Sequence, residues 1–299
     1  MYGAPKTASL CKLCICLRPH GRISGSLARM DTDSIQTAKK DTRAKALAAR
    51  DAIPFVDRLE RSAEICDKIG TLLREELPDV LTEESLSQPT AIPSPQLPYT
   101  RPNIPAKTTA TSDDPDAPLA CHVGQEWMFE QPTGRPEGDK PMLALYSSMK
   151  SEVDLSELAH GAFAHEWRVC FPAMIAEEGD VDTAEEPRRH MEFFEVSWAQ
   201  LKALVESFMT KQLRTYTVTQ LEADGFRKVD AAEIRAMVVP MVAFDADNNR
   251  LGYGGGNYDR YLPLLSEGTV IIGAAFDEQQ VEHIPTGDFD LPLPHIVHA

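Results

Sequence analysis

Nowhere in these 299 residues does an apolar run approach the roughly 20 residues that a membrane-crossing helix needs, so the expectation is a soluble, cytoplasmic protein. Basic charge is scarce too: 30 lysines and arginines stand against 46 acidic residues, a formal net charge of −16. That balance argues against general nucleic-acid binding, where affinity comes from neutralised phosphates. An anionic ligand must therefore be met by a local basic patch rather than by the overall field. A disulfide framework is also missing. Cys11, Cys14, Cys16, Cys66, Cys121 and Cys170 are scattered, which suits reduced thiols in the cytosol. Cys11-x-x-Cys14-x-Cys16 has the look of a metal half-site, but no second cysteine or histidine cluster completes it.

What the chain does contain is organised around Met237 to Leu262. Met237 to Phe244 is a short apolar run bounded by turn residues, the pattern of a strand buried on both faces of a parallel sheet. Asp245 to Asn249 forms a turn cluster. Arg250 and a glycine loop follow, with Gly252, Gly254, Gly255 and Gly256, and then a short helix over about Tyr258 to Leu265. Glycines let successive N–H groups converge on one point, and a helix start adds unpaired donors and a positive dipole end. This combination suits a phosphate, and the Arg250 fork would add a fixed charge. Asp259 would repel that phosphate unless a divalent cation bridges the two, as Mg²⁺ commonly does. The same stretch also fits a glycine-rich turn closing a core strand, with Asp259 an ordinary first-turn carboxylate. Its spacing matches neither Gly-x-Gly-x-x-Gly nor the P-loop.

Asp33 or Ser34 can cap a helix over about Ile35 to Asp51, on which Lys39, Arg43 and Arg50 share one narrow face. Such a stripe is either solvated or turned toward an anion. A second helix, about Val56 to Glu76, is expected to bury Leu59, Ala63, Cys66, Ile69 and Leu73. Residues 1–29 carry no acidic side chain, and Met30 is the expected start, with the preceding residues an artefact or a disordered tail reaching to about residue 34. Leu77 to Pro141 holds 12 of the 22 prolines, a density that removes backbone donors and predicts an extended or disordered insertion. Within it, Trp127 and Phe129 are candidates to pack. Strands are expected at Met142 to Ser148, Arg168 to Met174, Met191 to Val196 and Ile271 to Phe276. Helices are expected after Asp154 through about Ala164 and over Trp198 to Met209, with Glu177 to Glu186 a solvated acidic loop.

Three stretches together resemble the 5-formyltetrahydrofolate cyclo-ligase (5,10-methenyltetrahydrofolate synthetase) family. They are Lys39-Lys-Asp-Thr-Arg43; Ser147-Ser-Met149-Lys-Ser-Glu152-Val; and Arg250-Leu251-Gly252-Tyr253-Gly254-Gly255-Gly256-Asn257-Tyr258-Asp259-Arg-Tyr-Leu262, preceded by Val239-Pro240 and Ala243-Phe244-Asp245. The closing segment, Phe276 to Asp290, is similar as well. The resemblance implies an α/β fold, three α/β/α layers with a mainly parallel, Rossmann-like sheet, forming one domain over residues 35–299 interrupted at about 77–141.

The activity it implies is ATP-dependent closure of 5-formyltetrahydrofolate to 5,10-methenyltetrahydrofolate, releasing ADP and phosphate. Lys39, Arg43 and Arg250 to Tyr258 would then bind ATP. Ser147, Met149, Glu152, Tyr253, Gly255 and Asn257 would contact the folate, with Glu152 accepting from the pterin edge. Asp259 and Asp290 would hold Mg²⁺, and Arg250 and Asp259 would serve the reaction directly. A monomer is expected, with no nucleic-acid or membrane partner. Three positions depart from the family's pattern. Asn257 stands where an aromatic residue is usual, Lys211 to Glu222 lacks a Glu-Pro element, and Pro294 replaces a frequent aspartate. These departures leave open a non-catalytic or altered-substrate homologue that binds nucleotide or folate. A recognition module built on the proline-rich segment is the other alternative.

Overall fold

The computed structural model describes residues 32–78, 140–176, 189–203, 208–212, 214–287 and 290–299. The tail with Cys11, Cys14 and Cys16, nearly all of the proline-rich segment with Cys121, Trp127 and Phe129, and the acidic run from Glu177 to Glu186 lie outside the described residues.

Helix α1 spans Thr32–Asp51 and α2 Phe55–Glu76, separated by Ala52, Ile53 and Pro54. The backbone is already helical at Thr32, so Asp33 and Ser34 sit in the first turn instead of capping it. The buried stripe of α2 is Ser62, Ile65, Cys66, Ile69 and Leu73, while Leu59 is 45 % exposed and Ala63 lies on its margin. The sequence offers overlapping apolar arcs on this helix, and tertiary contacts choose between them. Ser62 enters the buried face because its hydroxyl accepts from the Asp154 amide at 3.0 Å. Ile69→Ala is accordingly expected to cost about 2–5 kcal/mol in urea unfolding. Leu59→Ala should stay within about 0.5 kcal/mol, and equal losses would contradict this assignment of the face.

The strands are β1 (Met142–Ala144), β2 (Arg168–Ala176), β3 (Arg189–Val196), β4 (Thr215–Tyr216), β5 (Arg227–Val229), β6 (Ile234–Pro240), β7 (Ala243–Phe244), β8 (Arg250–Leu251), β9 (Val270–Ala275) and β10 (His295–His298). The main sheet runs β10-β9-β6-β1-β2-β3-β5, with β4 alongside β2. Pairings from β10 through β2 are parallel, and β3 joins β2 and β5 antiparallel. This is the mainly parallel α/β architecture expected.

Successive residues of the central strands alternate between two cores, as a pleated strand requires. Leu143, Val169, Phe171, Ala236 and Val238 face α2 and the helix α3 (Ser156–Ala164). Met142, Ala144, Cys170, Met237 and Val239 face Met241, Tyr261, Leu262 and Leu293. The sequence points to Asp154 as the cap of α3, but the N-cap position is Leu155, which has no side-chain cap; Asp154 sits one residue earlier and its carboxylate accepts from the Ser156 amide and hydroxyl at 2.9 and 2.6 Å. Of the helix expected over Trp198 to Met209, α4 (Trp198–Ala203) is described, residues 204–207 lie outside the described set and residues 208–210 form a turn; α5 (Val218–Ala223) follows β4. Cys66 and Cys170 are free and buried, and burial pushes the Cys66 thiol up to about 12. Among the described residues no helix is long and apolar enough to cross a membrane.

The organising run Met237 to Phe244 is two strands, not one. The central strand β6 ends at Pro240, whose ring nitrogen has no hydrogen to donate. The chain then turns into a hairpin in which β7 pairs with β8, Ala243 opposite Leu251 and Phe244 opposite Arg250. Asp245 shapes the hairpin turn by accepting from the amides of Asp247 and Asn249 at 3.1 and 3.0 Å, and from Asn249 Nδ2 at 3.0 Å. Asn248 takes φ 61° there, a conformation that asparagine tolerates. The hairpin matters because α1 packs on it: Ala46 and Leu47 join Val242, Ala243, Leu251 and Ile284 in a small core.

Candidate functional site

Strand order fixes where a ligand can sit. From β1 the chain passes through α3 to β2 on one side, whereas β6 leads to β9 and β10 on the other. A crevice therefore opens beyond the carboxyl ends of β1 and β6, the switch point where open α/β sheets bind ligands. The two segments that leave those strand ends are Ser147 to Glu152 and the hairpin with its glycine loop.

The glycine loop runs from β8 into helix α6 (Asn257–Tyr261), continued by a 3₁₀ turn at Leu262–Leu264, so the helix expected to Leu265 is short and changes type. Gly254 (φ 101°) and Gly256 (φ 61°) take the left-handed region, which only glycine enters at little cost. Three guanidinium groups lie close over this loop. A Cβ on Gly252 would stand 3.3 Å from Arg250, one on Gly254 3.5 Å from Arg43, and one on Gly256 3.0 Å from Arg260. Among the described residues no protein group accepts from the amides of Gly252 to Gly256. In a chain of net charge −16, this is a local basic patch lined with free backbone donors.

Helix α1 closes the site from the other side. The stripe of Lys39, Arg43 and Arg50 does share one face, and every member crosses to a distant segment. Lys39 makes a very short ion pair with Asp290. Arg43 Nε donates to the Gly252 carbonyl at 2.7 Å. Arg50 is 1 % exposed; its Nε donates to Ser151 Oγ at 3.0 Å and an Nη to the Tyr253 hydroxyl at 2.8 Å. Ser151 in turn donates to Asp51 in another very short contact. Asp290 reaches Lys39 because Asp245, through its second oxygen, holds the Ile284 amide at 2.9 Å and so directs the closing segment back toward α1.

Arg250 is buried, with its side chain 4 % exposed, and pairs with Asp259 at 2.5 Å across the start of α6. Its guanidinium also lies 5.7 Å from the Tyr258 ring centre. Glu152 is 7 % exposed; one oxygen accepts from the Met149 amide at 2.8 Å and the other has no partner. Burial pushes its carboxyl above the ordinary range, against the pull of the Met149 amide, Arg50 and Tyr253. Burial likewise raises the Tyr253 hydroxyl to about 12, with Glu152 adding to the shift. Ser147 and Met149 stand partly exposed beside this pocket, and the Ser147 carbonyl accepts from Gln212 at 3.5 Å. Asn257 turns its amide toward Met174 Sδ at 3.6 Å and accepts from Arg260 at 2.8 Å.

The residues expected to act together are therefore gathered on two linked centres. Arg43, Arg250 and Asp259 lie at the loop Gly252–Gly256, the Lys39–Asp290 pair sits one turn of α1 before Arg43, and Arg50 joins the loop's Tyr253 to Ser151, the neighbour of Glu152. Sequence reading missed Ser151, Asp51, Arg260 and the shaping role of Asp245. Only Asp245 carries a local signal, an aspartate heading an Asn-rich turn whose side chain can accept from the following amides.

Comparison with known proteins bears on this site. The sequence pattern of the 5-formyltetrahydrofolate cyclo-ligase family matches residues 139–299, more than half of the chain. A 5-formyltetrahydrofolate cyclo-ligase of Haemophilus influenzae is 47% identical over 62 residues, 20% of this chain and 33% of that protein. One from Escherichia coli K12 is 42% identical over 67 residues, 22% of this chain and 37% of that protein. The aligned part thus spans about a third of the length of these relatives. Among solved structures, a 5,10-methenyltetrahydrofolate synthetase from Mycoplasma pneumoniae aligns over 87% of this chain and 97% of its own, at 17% identity and a TM-score of 0.47. Matched from β1 through the glycine loop to the closing segment that carries Asp290, the chain belongs to the 5-formyltetrahydrofolate cyclo-ligase family.

Proposed function

We propose that the protein closes 5-formyltetrahydrofolate to 5,10-methenyltetrahydrofolate at the expense of ATP, as a cytoplasmic monomer folded as one domain over residues 35–299. The observation that carries this reading is the glycine loop: free amides and three guanidinium groups gathered around one exposed turn in an acidic protein. A triphosphate is the ligand that such a turn fits.

The chemistry explains the rest. A formyl oxygen is a poor leaving group. Transfer of the γ-phosphoryl to it makes phosphate the leaving group, and the folate's N10 attacks the formyl carbon to close the ring. The protein's part is positioning and charge neutralisation, as in other phosphoryl transfers. Lys39, Arg43 and Arg250 would hold the phosphates, with Leu251 to Tyr258 supplying backbone and side-chain contacts to the nucleotide. Glu152 would accept from the pterin, with Ser147, Met149, Tyr253, Gly255 and Asn257 lining the folate. A second carboxylate partner is not needed to deprotonate N10, which loses its proton to water once the ring has closed.

The donor set also fits Mg²⁺. Asp259 and Asp290 are hard oxygen ligands whose side chains are 31% and 26% exposed, and each is paired with a basic side chain that an incoming cation would have to share or displace. Among the described residues no three His, Cys, Asp or Glu side chains converge, so phosphate oxygens and water would complete the shell. When bound, the ion would neutralise charge on the transferring phosphates.

Incubation of the protein with Mg²⁺-ATP and 5-formyltetrahydrofolate tests the reading through methenyl absorbance. ATP-dependent product supports it; tight binding of both ligands without product indicates an altered-substrate homologue, the outcome that Asn257 in place of an aromatic would favour. Arg43→Ala is expected to raise the KM for ATP about 10- to 100-fold, the worth of a charge-assisted hydrogen bond, with little change in thermal midpoint. A KM within twofold of wild type would remove Arg43 from the nucleotide site.

A further inference from the structure

Arg260 differs from the other two guanidinium groups at the glycine loop: both hydrogens of its Nη2 are spent on the loop itself. That nitrogen donates to the Gly255 carbonyl and to Asn257 Oδ1, each at 2.8 Å. Nη1 lies against the chain, 3.0 Å from where a Cβ on Gly256 would stand. Asn257 passes the contact on to the sheet, its Nδ2 reaching Met174 Sδ on β2 at 3.6 Å. An exposed arginine one turn along α6 is thus bent back across the loop that precedes it.

The consequence follows from the peptide plane, in which C=O and N–H point to opposite sides. Holding the Gly255 carbonyl turns the Gly256 amide away from Arg260. Arg43 acts likewise at the start of the loop: by taking the Gly252 carbonyl at 2.7 Å it turns the Tyr253 amide away from itself. Left untied, Gly252-Tyr-Gly-Gly-Gly256 would sample many shapes, since glycine has the most conformational freedom to lose.

We propose that Arg260 is a positioning residue for the nucleotide: with Asn257 it brackets the glycine loop in its amide-presenting shape before any nucleotide arrives, and it does not itself touch the phosphates. This rests on the nucleotide reading of the loop and adds a residue and a role to it. Asn257 is half of the device, because an aromatic side chain at that position would offer Nη2 no oxygen. The bracket is therefore built from this chain's own departure from the family's pattern. A loop held ready binds with its full affinity. One in the binding shape a tenth of the time binds about tenfold more weakly, while the complex once formed reacts as before.

Backbone ¹⁵N order parameters of Gly254 to Asn257 in the nucleotide-free full chain, measured beside Mg²⁺-ATP affinity and kcat, test the assignment. Wild-type values should lie near the ~0.85 of rigid backbone, and Arg260→Ala should bring them below about 0.6. Its Kd for Mg²⁺-ATP should rise roughly tenfold, with kcat at saturation within about twofold of wild type. Arg260→Lys, which offers a compact ammonium in place of the fork, should recover part of both effects. Asn257→Ala should loosen the same amides by less, because the Gly255 carbonyl keeps its donor; these two variants carry the test should Arg260→Ala not fold. A weaker Kd with order parameters unchanged would make Arg260 a direct phosphate contact and overturn the inference. A loop already mobile in the wild type, or a tenfold loss of kcat in Arg260→Ala, overturns it equally. A wild type whose loop is rigid and depends on Arg260, yet binds no Mg²⁺-ATP, overturns instead the nucleotide reading beneath it.

Discussion

Arg250→Met should lower turnover about 10³-fold at saturating ATP while leaving the protein folded. Arg250 is buried at the glycine loop, held between the Pro240 carbonyl at 3.4 Å and Asp259 at 2.5 Å, with Nε unpartnered. A guanidinium fixed in advance where phosphoryl charge develops needs no reorganisation during the reaction, and removing one such donor costs about 10²–10³ in rate, more where an arginine serves the transferring group. Methionine keeps an apolar stem beside Tyr258 while removing the guanidinium that lies over its ring. Asp259 is left without its partner but is exposed enough for water to replace it, so the fold should tolerate the change. Arg250→Lys restores a charge but not the fork, and should recover only part of the rate. The decisive measurement is kcat beside the thermal midpoint. A rate within tenfold of wild type, in a protein with an unchanged midpoint, would take Arg250 out of the reaction.

Glu152→Gln should cut kcat/KM for the folate by about 10²–10³, the loss expected when a buried charged acceptor is replaced by an amide of the same shape. The same change should raise stability at neutral pH. Burial lifts the Glu152 carboxyl above its unfolded value. Between those two values the native state keeps a proton that the unfolded chain has released, so this group's effect on stability is to lower it as pH rises across the window. Below the ordinary carboxylate range both states are protonated and the effect vanishes. The gain in stability from Glu152→Gln should therefore be largest above the raised value and disappear in acid. Folate kcat/KM should move the opposite way: accepting two N–H groups needs the ionised carboxylate, so wild-type activity rises with pH through the raised value and the variant lacks that rise. A variant less stable than wild type at neutral pH, or one with an unchanged activity profile, contradicts this account.

The glycine loop and the basic stripe of α1 were legible in the sequence because both are local. Residues 250–262 carry their geometry in their own φ angles, and Lys39, Arg43 and Arg50 obey the helical period wherever the helix packs. Elements governed by distant contacts were not. The split of Met237 to Phe244 depends on a proline at the last position of β6 and on a hairpin partner beyond the turn. Strands β4, β7 and β8 have two residues each, too few to show a period of two, and β10 is recognised only by its pairing with β9. On α2 the choice of Ile65 and Ser62 over Leu59 follows from Asp154, far along the chain. The Arg50–Ser151–Tyr253 network joins positions 101 and 203 residues apart, which no spacing within one element could announce.

That remoteness has a temporal side. Lys39 meets its partner 251 residues downstream, and Arg43 meets Gly252 209 residues downstream. During synthesis α1 emerges early, its cationic face unmatched, and waits while nearly the whole protein is made. Closure of such wide loops is slow more than it is costly, since each doubling of length adds only about 0.6 kcal/mol. A chain arrested at residue 280 would thus have a complete glycine turn and still leave Lys39 unanswered. Ligand grip should arrive abruptly, with the last twenty or so residues, rather than accumulate as the polypeptide grows.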